Sequence, residues 1–278
     1  MSKVWLITGC STGFGRELAK EVLAQGFKAA VAARNTADVQ DIISGYPETA
    51  IAVKLDVTVE SDINAAVKAV TEKFGTIDVL VNNAGIGYFG AIEESEDEEV
   101  RRMFEINFFG LAKMTQKVLP VMRKQRSGHI VNIASIGGIR AFPGVGFYNA
   151  TKFAVDGFSE ALGKEVAPLG IKVTVIAPSG FRTDWAGRSA NTAQHKIEDY
   201  AATAGANTET IRGYSGNQPG DPVMAAKAIV QVVTTEKPPV RLLLGVAALN
   251  GGRAKIEELK QDIDAWEAVT IGADRPKQ

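Results

Sequence analysis

Tyr148 and Lys152 stand four residues apart in YNATK, a spacing that puts both side chains on one face of a helix. Free tyrosine titrates near ~10, too high for ready proton exchange at neutral pH, and a cation one helical turn away stabilises the phenolate and lowers that value. A tyrosine so placed is suited to give a proton to a carbonyl oxygen and, in reverse, to take one from an alcohol. Ser135 closes the apolar run HIVNIAS ahead of Tyr148, and its hydroxyl can donate to a developing alkoxide in the manner of an oxyanion hole. Asn107, in FEINFFG, is an amide suited to holding a water that connects Lys152 to solvent. Each has a bland counterpart: Tyr148 and Lys152 as a solvated pair, Ser135 as the cap of the turn-rich IASIGG, Asn107 as a buried amide bonded to backbone. His129, His195 and Cys10 are the only histidines and cysteine, so there is no Cys/His cluster for zinc and no metal is expected.

A second chemistry lies near the start. In TGCSTGFG (8–15), Gly9, Gly13 and Gly15 let the backbone come close to a phosphate at the start of the helix that follows, where free N–H groups and the dipole favour an anion. The position between the first strand and the first helix is the one dinucleotides use. The rival is that Gly9-Cys10-Ser11-Thr12-Gly13 fits G-x-S-x-G, a serine nucleophile elbow, with His129 or His195 as the base. That elbow normally follows several strands rather than the first, and it leaves Gly15 and 135–152 unexplained. The end of the second strand, AVAARNT (30–36), selects the dinucleotide. A carboxylate there would hold the ribose hydroxyls of NAD, but Ala33 stands in its place and Arg34 follows, a planar fork suited to a phosphate. NADP(H) is therefore expected in preference to NAD(H).

The elements that must position these groups alternate. Apolar runs at 4–8, 27–33, 51–57, 77–83, 129–135, 171–178 and 240–245 are separated by helical patterns, including long ones at 97–125 and 147–167. Runs of Val, Ile and Leu without polar alternation read as strands covered on both faces, and strand–helix repetition reads as a parallel sheet with right-handed crossovers. The expected fold is α/β, a doubly wound parallel sheet of about seven strands in one domain spanning 1–278. A net charge of −1 gives no basic face for nucleic acid or an anionic membrane, and the opening apolar run is too short for a signal or a span, so a cytoplasmic protein is expected. EESEDEE (93–99) reads as a capping box, Ser95 with Glu98, with acids at a helix N-terminus and no functional role. Residues 183–220, rich in small and polar types, are either a disordered insert or a substrate lid. RAKIEELKQDIDAWEAV, within a C-terminal helix over 250–270, reads as an amphipathic helix that packs on the body or on a partner. Phe142, Phe147, Phe181 and Trp185 either line an apolar substrate pocket or belong to the core.

Taken in order, TGCSTGFG, LDVT (55–58), NNAG (82–85), Asn107, Ser135 and YNATK resemble the short-chain dehydrogenase/reductase family from residue 3 to about 185, with a looser fit to 245. The resemblance implies a catalytic tetrad of Asn107, Ser135, Tyr148 and Lys152. It implies that Ser11 helps hold the ribose phosphate beside Arg34, with Phe14 in the same loop. It implies that Asp56 contacts adenine with Val57 stacking nearby, and that Asn83, Ala84 and Gly85 lie along the cofactor. PSGFRT (178–183) resembles the segment that closes over the nicotinamide, bringing Pro178, Gly180 and Thr183 to it. Ser179 stands where the family usually has glycine, a departure expected to shape the substrate pocket. The implied activity is reduction of a ketone or aldehyde by NADPH, with a small-molecule carbonyl or alcohol as substrate and a homodimer or homotetramer built on the helices 97–125 and 147–167. The alternative carried beside it is an NADP-binding regulator that keeps the fold without turnover.

Overall fold

Residues 4 to 7 alternate their side chains between two hydrophobic layers, and that alternation sets the architecture. Trp5 and Ile7 enter one core, Val4 and Leu6 the other, as expected of a strand buried on both faces. The computed structural model describes residues 2–275. Its elements run β1 (Val4–Ile7), α1 (Gly13–Ala24), β2 (Lys28–Ala33), α2 (Gln40–Ile43), β3 (Ala50–Lys54), α3 (Glu60–Phe74), β4 (Val79–Asn82), β5 (Gly87–Phe89), α4 (Asp97–Phe104) and α5 (Leu111–Gln125). There follow β6 (Gly128–Ile133), α6 (Gly146–Val166), β7 (Ile171–Pro178), β8 (Ala190–Thr192), α7 (Ala206–Gly213), α8 (Pro222–Thr234), β9 (Arg241–Leu244) and α9 (Val246–Gly272).

The seven-stranded sheet has the order β3-β2-β1-β4-β6-β7-β9, and every pairing in it is parallel. The doubly wound α/β expectation is met. The chain builds outward from β1 in one direction through β3, then returns to β4 and builds the other way. The point between β1 and β4 is the topological switch, where ligands bind beyond the carboxyl ends of the strands. Side chains of α1 and α8 cover one face and those of α3, α5 and α6 the other. Helix α8 lies in a stretch to which the apolar alternation assigns no element. Its start is nonetheless written in GDPV: Asp221 accepts from the Val223 N–H at 2.9 Å, and Pro222 occupies the first turn. Among the described residues no helix is long and apolar enough to cross a membrane.

Two expectations are corrected. The helix expected over 97–125 is interrupted by a π-helical segment, Glu105–Gly110, between α4 and α5. The capping box does not form: α4 begins at Asp97 with Glu96 before it, and Ser95 Oγ donates instead to the Ala91 carbonyl at 2.8 Å. The acids of that run reach across to 183–220, which is folded rather than irregular. Glu93 accepts from Tyr200 Oη at 2.6 Å, Glu94 from the Ile197 N–H at 2.8 Å, Glu96 from the Gln194 N–H at 2.8 Å and Glu99 from Asn191 Nδ2 at 2.9 Å. Strand β8 pairs with β5 in a small second sheet on the same side.

Candidate active site

Between β1 and α1 the backbone makes a turn that only glycine permits at two places. Gly9 has φ +69°, and a Cβ there would stand 2.9 Å from the Ala84 Cα; a Cβ on Gly15 would stand 2.4 Å from the Gly9 carbonyl oxygen. Thr12 caps α1 by position but makes no side-chain cap bond, so the first N–H groups of the helix remain available to an anion. The loop is clipped to the next strand end. Thr8 Oγ1 accepts from the Asn83 and Ala84 N–H groups at 2.9 and 3.0 Å, while Asn83 Nδ2 donates to the Thr8 and Gly9 carbonyls at 2.9 and 3.0 Å. Thr8 thus positions two of the expected cofactor residues, a role visible only once the two loops are seen side by side.

Arg34 follows β2 directly, is exposed, and makes no hydrogen bond or ion pair among the described residues. Its charge bears on Asp56. Burial pushes the Asp56 carboxyl up, but bonds from Thr58 N and Oγ1, at 2.9 and 2.7 Å, and the Arg34 and Lys54 cations outweigh it and hold the carboxyl below its ordinary range. Gly9, Ser11, Gly13, Phe14, Arg34, Asp56, Val57, Asn83, Ala84 and Gly85 all line one cleft, and so do Ser135, Tyr148 and Lys152; its volume is about 1620 Å³.

Ser135 lies just beyond β6 and caps the turn after it, accepting from the Gly137 N–H at 3.0 Å. Its bland reading is therefore true, and compatible with the other, because accepting leaves the hydroxyl proton free to donate toward Tyr148. Tyr148 sits in the first turn of α6, 8% exposed. Burial pushes its phenol up to about 12, against the opposing influence of the nearby Ser135 hydroxyl. Lys152, one turn on, donates from Nζ to the Ile133 carbonyl at 2.9 Å, 5.7 Å from the centre of the Tyr148 ring. Burial pulls its ammonium down to about 8. The expected lowering of the phenol by Lys152 does not prevail in the protein alone. Both groups are desolvated together, and the ammonium is spent on a carbonyl rather than on the phenol.

Asn107 lies in the π-helical segment, where an irregular turn is a frequent mark of a functional position. Its amide braces the chain after β4: Oδ1 accepts from the Ile86 N–H at 2.8 Å, and Nδ2 donates to the Ile86 carbonyl at 2.9 Å and to Thr151 Oγ1 at 3.2 Å. A Cβ on Gly85 would lie 3.2 Å from Asn107 Oδ1 and 3.7 Å from Lys152 Nζ, so the amide and the ammonium face the same glycine.

Pro178 ends β7, and the segment after it passes over the glycine loop. Thr183 Cβ lies 3.4 Å from where a Cβ on Gly13 would be, and Phe14 and Phe181 meet edge to face at 5.0 Å. Gly180 also borders the cleft. Ser179 borders it as well, and its hydroxyl donates to the Leu244 carbonyl at 3.3 Å. Of the aromatic residues singled out in the sequence, Phe142, Phe181 and Trp185 border the cleft, Trp185 with its ring centre 4.7 Å from that of Tyr148. Phe147 does not reach it and packs with Tyr88, Phe89 and Met103 in a subsidiary core. Sequence reasoning missed Ile211, Tyr214 and Gln218 from 183–220, and Ala247 and Gly251 from α9, which complete the wall. Ile211, Tyr214 and Gln218 do stand at helical spacing, but within a stretch whose small and polar composition reads as loop.

The serine-hydrolase rival fails on geometry. Ser11 lies beyond the carboxyl end of β1, whereas His129 is the second residue of β6 at the opposite edge of the sheet, its Nε2 2.9 Å from Thr174 Oγ1. His195 is exposed, and no hydrogen bond joins Ser11 to a histidine among the described residues. The glycine cradle and the uncapped helix start instead fit the phosphates of a nicotinamide dinucleotide.

The short chain dehydrogenase family matches residues 3–194. The chain is 37% identical over 274 residues to Oxidoreductase BOA17 of Botryotinia fuckeliana, covering 98% of this chain and 100% of that protein. A short-chain dehydrogenase from Streptomyces avermitilis superimposes with a TM-score of 0.92 at 41% identity, over 98% of both chains. The 3-ketoacyl-(acyl-carrier-protein) reductase from Brucella melitensis, complexed with NADH, has a TM-score of 0.74 at 31% identity, over 87% of this chain and 96% of that one.

Proposed function

The chain belongs to the short-chain dehydrogenase family of oxidoreductases, and we propose that it is an NADPH-preferring reductase of ketones or aldehydes, reversible as an alcohol dehydrogenase. The observation that carries this reading is the convergence of Ser135, Tyr148 and Lys152 on the same cleft as the glycine cradle and the unpaired Arg34.

Gly9, Ser11, Gly13 and the α1 N-terminus would hold the pyrophosphate, Arg34 and Ser11 the ribose phosphate, Asp56 and Val57 the adenine, and 83–85 with 178–183 the nicotinamide half. When bound, the dinucleotide supplies the two reducing electrons. Tyr148 gives its phenolic proton to the carbonyl oxygen as negative charge develops there. Ser135 donates to the same oxygen from the other side and orients the substrate. Lys152, next to the phenol, favours the phenolate that results. An anionic cofactor close to Lys152 would hold the ammonium charged, restoring the influence on Tyr148 that burial suppresses in the protein alone. Asn107 keeps the chain at Ile86 and Gly85 in register with Lys152 and belongs to its route to solvent.

Trp185, Phe142, Ile136 and Ile211 around the reacting end favour an apolar or aryl ketone. The segment 183–220 serves as the lid over it, fastened by Glu93, Glu94, Glu96 and Glu99. Exposed Phe109 and Phe153, beside and on the long helices, support assembly as a homodimer or homotetramer through that face.

The test is consumption of NADPH, with NADH in parallel, against a panel of aryl, alkyl and cyclic carbonyls. Turnover with NADPH exceeding that with NADH is the expected result. No turnover on any member, with NADPH bound tightly, would instead favour a cofactor-binding regulator.

A further inference from the structure

Helix α9 leaves the body of the protein partway along its length. Its first turns cover β9 and the cleft wall, and Arg140 Nη2 donates to Glu258 at 2.7 Å. From 259 to 275 every residue is exposed. The free stretch of helix, 259 to 272, is ~21 Å long, and a lone helix of that length is marginal in water. Its apolar side chains are nevertheless bare: Ile256 is 70% exposed, Leu259 52%, Ile263 59% and Trp266 64%. Their spacing of three, four and three residues is that of the a and d positions of a heptad, continued backward by Leu249 and forward by Thr270. Between 255 and 267 the stripe is narrow, bounded by Lys260 and Glu267 on one side and Lys255 and Asp262 on the other, the shape of a seam between helices rather than of a face laid on a core. Toward the end of the helix, bare Val269 and Ile271 widen it.

The flanking charges decide what covers the seam. Five carboxylates, Glu257, Glu258, Asp262, Asp264 and Glu267, stand against the single cation Lys260 between 257 and 272, a balance that repels an anionic bilayer. Two copies running parallel would set Lys255 against Lys260 and Asp262 against Glu267, like against like at both flanks. Two copies running antiparallel would set Ile256 against Trp266 and Leu259 against Ile263, with Arg253 beside Glu267. Two residues come near their own copies, Lys260, which already pairs with Asp264, and Asp262. Each makes one like-charge contact, against two of each sign in the parallel arrangement. We infer that α9 is a dimerisation arm, pairing antiparallel with α9 of a second copy of this chain about a two-fold axis near Gln261. This surface is separate from the Phe109 and Phe153 face.

The test uses the full-length protein. Ile263→Asp changes an exposed residue remote from the cleft, so its mass by light scattering should fall to half while its helical circular dichroism drops by no more than the free stretch 259 to 272 contributes. An unchanged mass overturns the proposal. The register is read by cysteines, because native Cys10 is buried. Oxidised Ile256→Cys/Trp266→Cys should give covalent pairs that neither single variant gives, whereas pairs from Ile256→Cys alone would mean a parallel arrangement and overturn this one. Vesicles of phosphatidylcholine and phosphatidylglycerol should not sediment the protein. Sedimentation lost in Ile263→Asp would assign the seam to a bilayer and overturn the proposal as well.

Discussion

Lys152 and Arg34 are two cations on one cleft with opposite situations. Lys152 is buried, bonded to a carbonyl and pulled down to about 8; Arg34 is exposed and has no partner among the described residues. Below about pH 8 the Lys152 ammonium is charged and can support the phenolate, and above it that support is lost. The kcat/KM for NADPH, which reports the free enzyme, should therefore be level below pH 8 and fall about tenfold per unit above it in the reducing direction. A profile level through pH 10 would contradict the role given to Lys152. For Arg34 the expectation concerns selectivity. Arg34→Asp removes a charge-assisted pair worth about 1.5–3 kcal/mol, so the KM for NADPH should rise about 10- to 100-fold while that for NADH changes little. An unchanged ratio would remove Arg34 from the ribose phosphate.

At the scale of elements, the strands and long helices were legible because each buries a continuous apolar run whose period is set within the run itself. The candidate catalytic residues were legible for a related reason: their spacing along α6 and at the end of β6 is local. What the sequence hid depends on partners far along the chain. The acids of 93–99 satisfy every rule for a helix start whether or not anything docks on them, and their actual partners lie about a hundred residues later. The π-helical segment at Asn107 and the fold of 183–220 are likewise fixed by packing rather than by period. Phe147 looked like a pocket residue because aromatic side chains serve core and cleft equally well. Glu94 tests the latch reading directly. Its buried carboxylate holds the Ile197 and Ala91 N–H groups at 2.8 and 2.9 Å, and those bonds, with the nearby Lys196 cation, keep it below the ordinary carboxylate range. Glu94→Ala leaves both N–H groups unsatisfied, at a cost of about 1–3 kcal/mol. Limited proteolysis should then cut within 190–200 well before the rest of the chain, and the KM for the carbonyl should rise while NADPH affinity holds. Wild-type cleavage kinetics in that segment would show that the acids do not fasten it.

Across the whole molecule, the sheet gathers the candidate site residues at the carboxyl edge of its strands and away from the opposite edge. His129 belongs to that opposite edge, 4% exposed. Burial, helped by the Lys172 and Lys3 cations, lowers it to about 4. Between about pH 6.5 and 4 the unfolded chain binds a proton there that the folded chain refuses, so stability falls with pH through that window. The loss amounts to about 3 kcal/mol at 1.36 kcal/mol per unit. Denaturant titrations from pH 7 to 4 should show that loss in wild type and a flatter dependence in His129→Gln. Equal slopes would mean that other groups govern acid unfolding.

Proton transfer from Tyr148 to a carbonyl oxygen is the step on which the proposed activity depends, and Tyr148→Phe removes that proton with little change in volume. NADPH consumption by wild type and variant should be compared on one good carbonyl substrate, with NADPH binding measured for both by fluorescence. The predicted result is a loss of at least ~100-fold in kcat, of the size expected for a lost general acid, with NADPH affinity held within about twofold. Equal turnover by the two proteins would contradict the account.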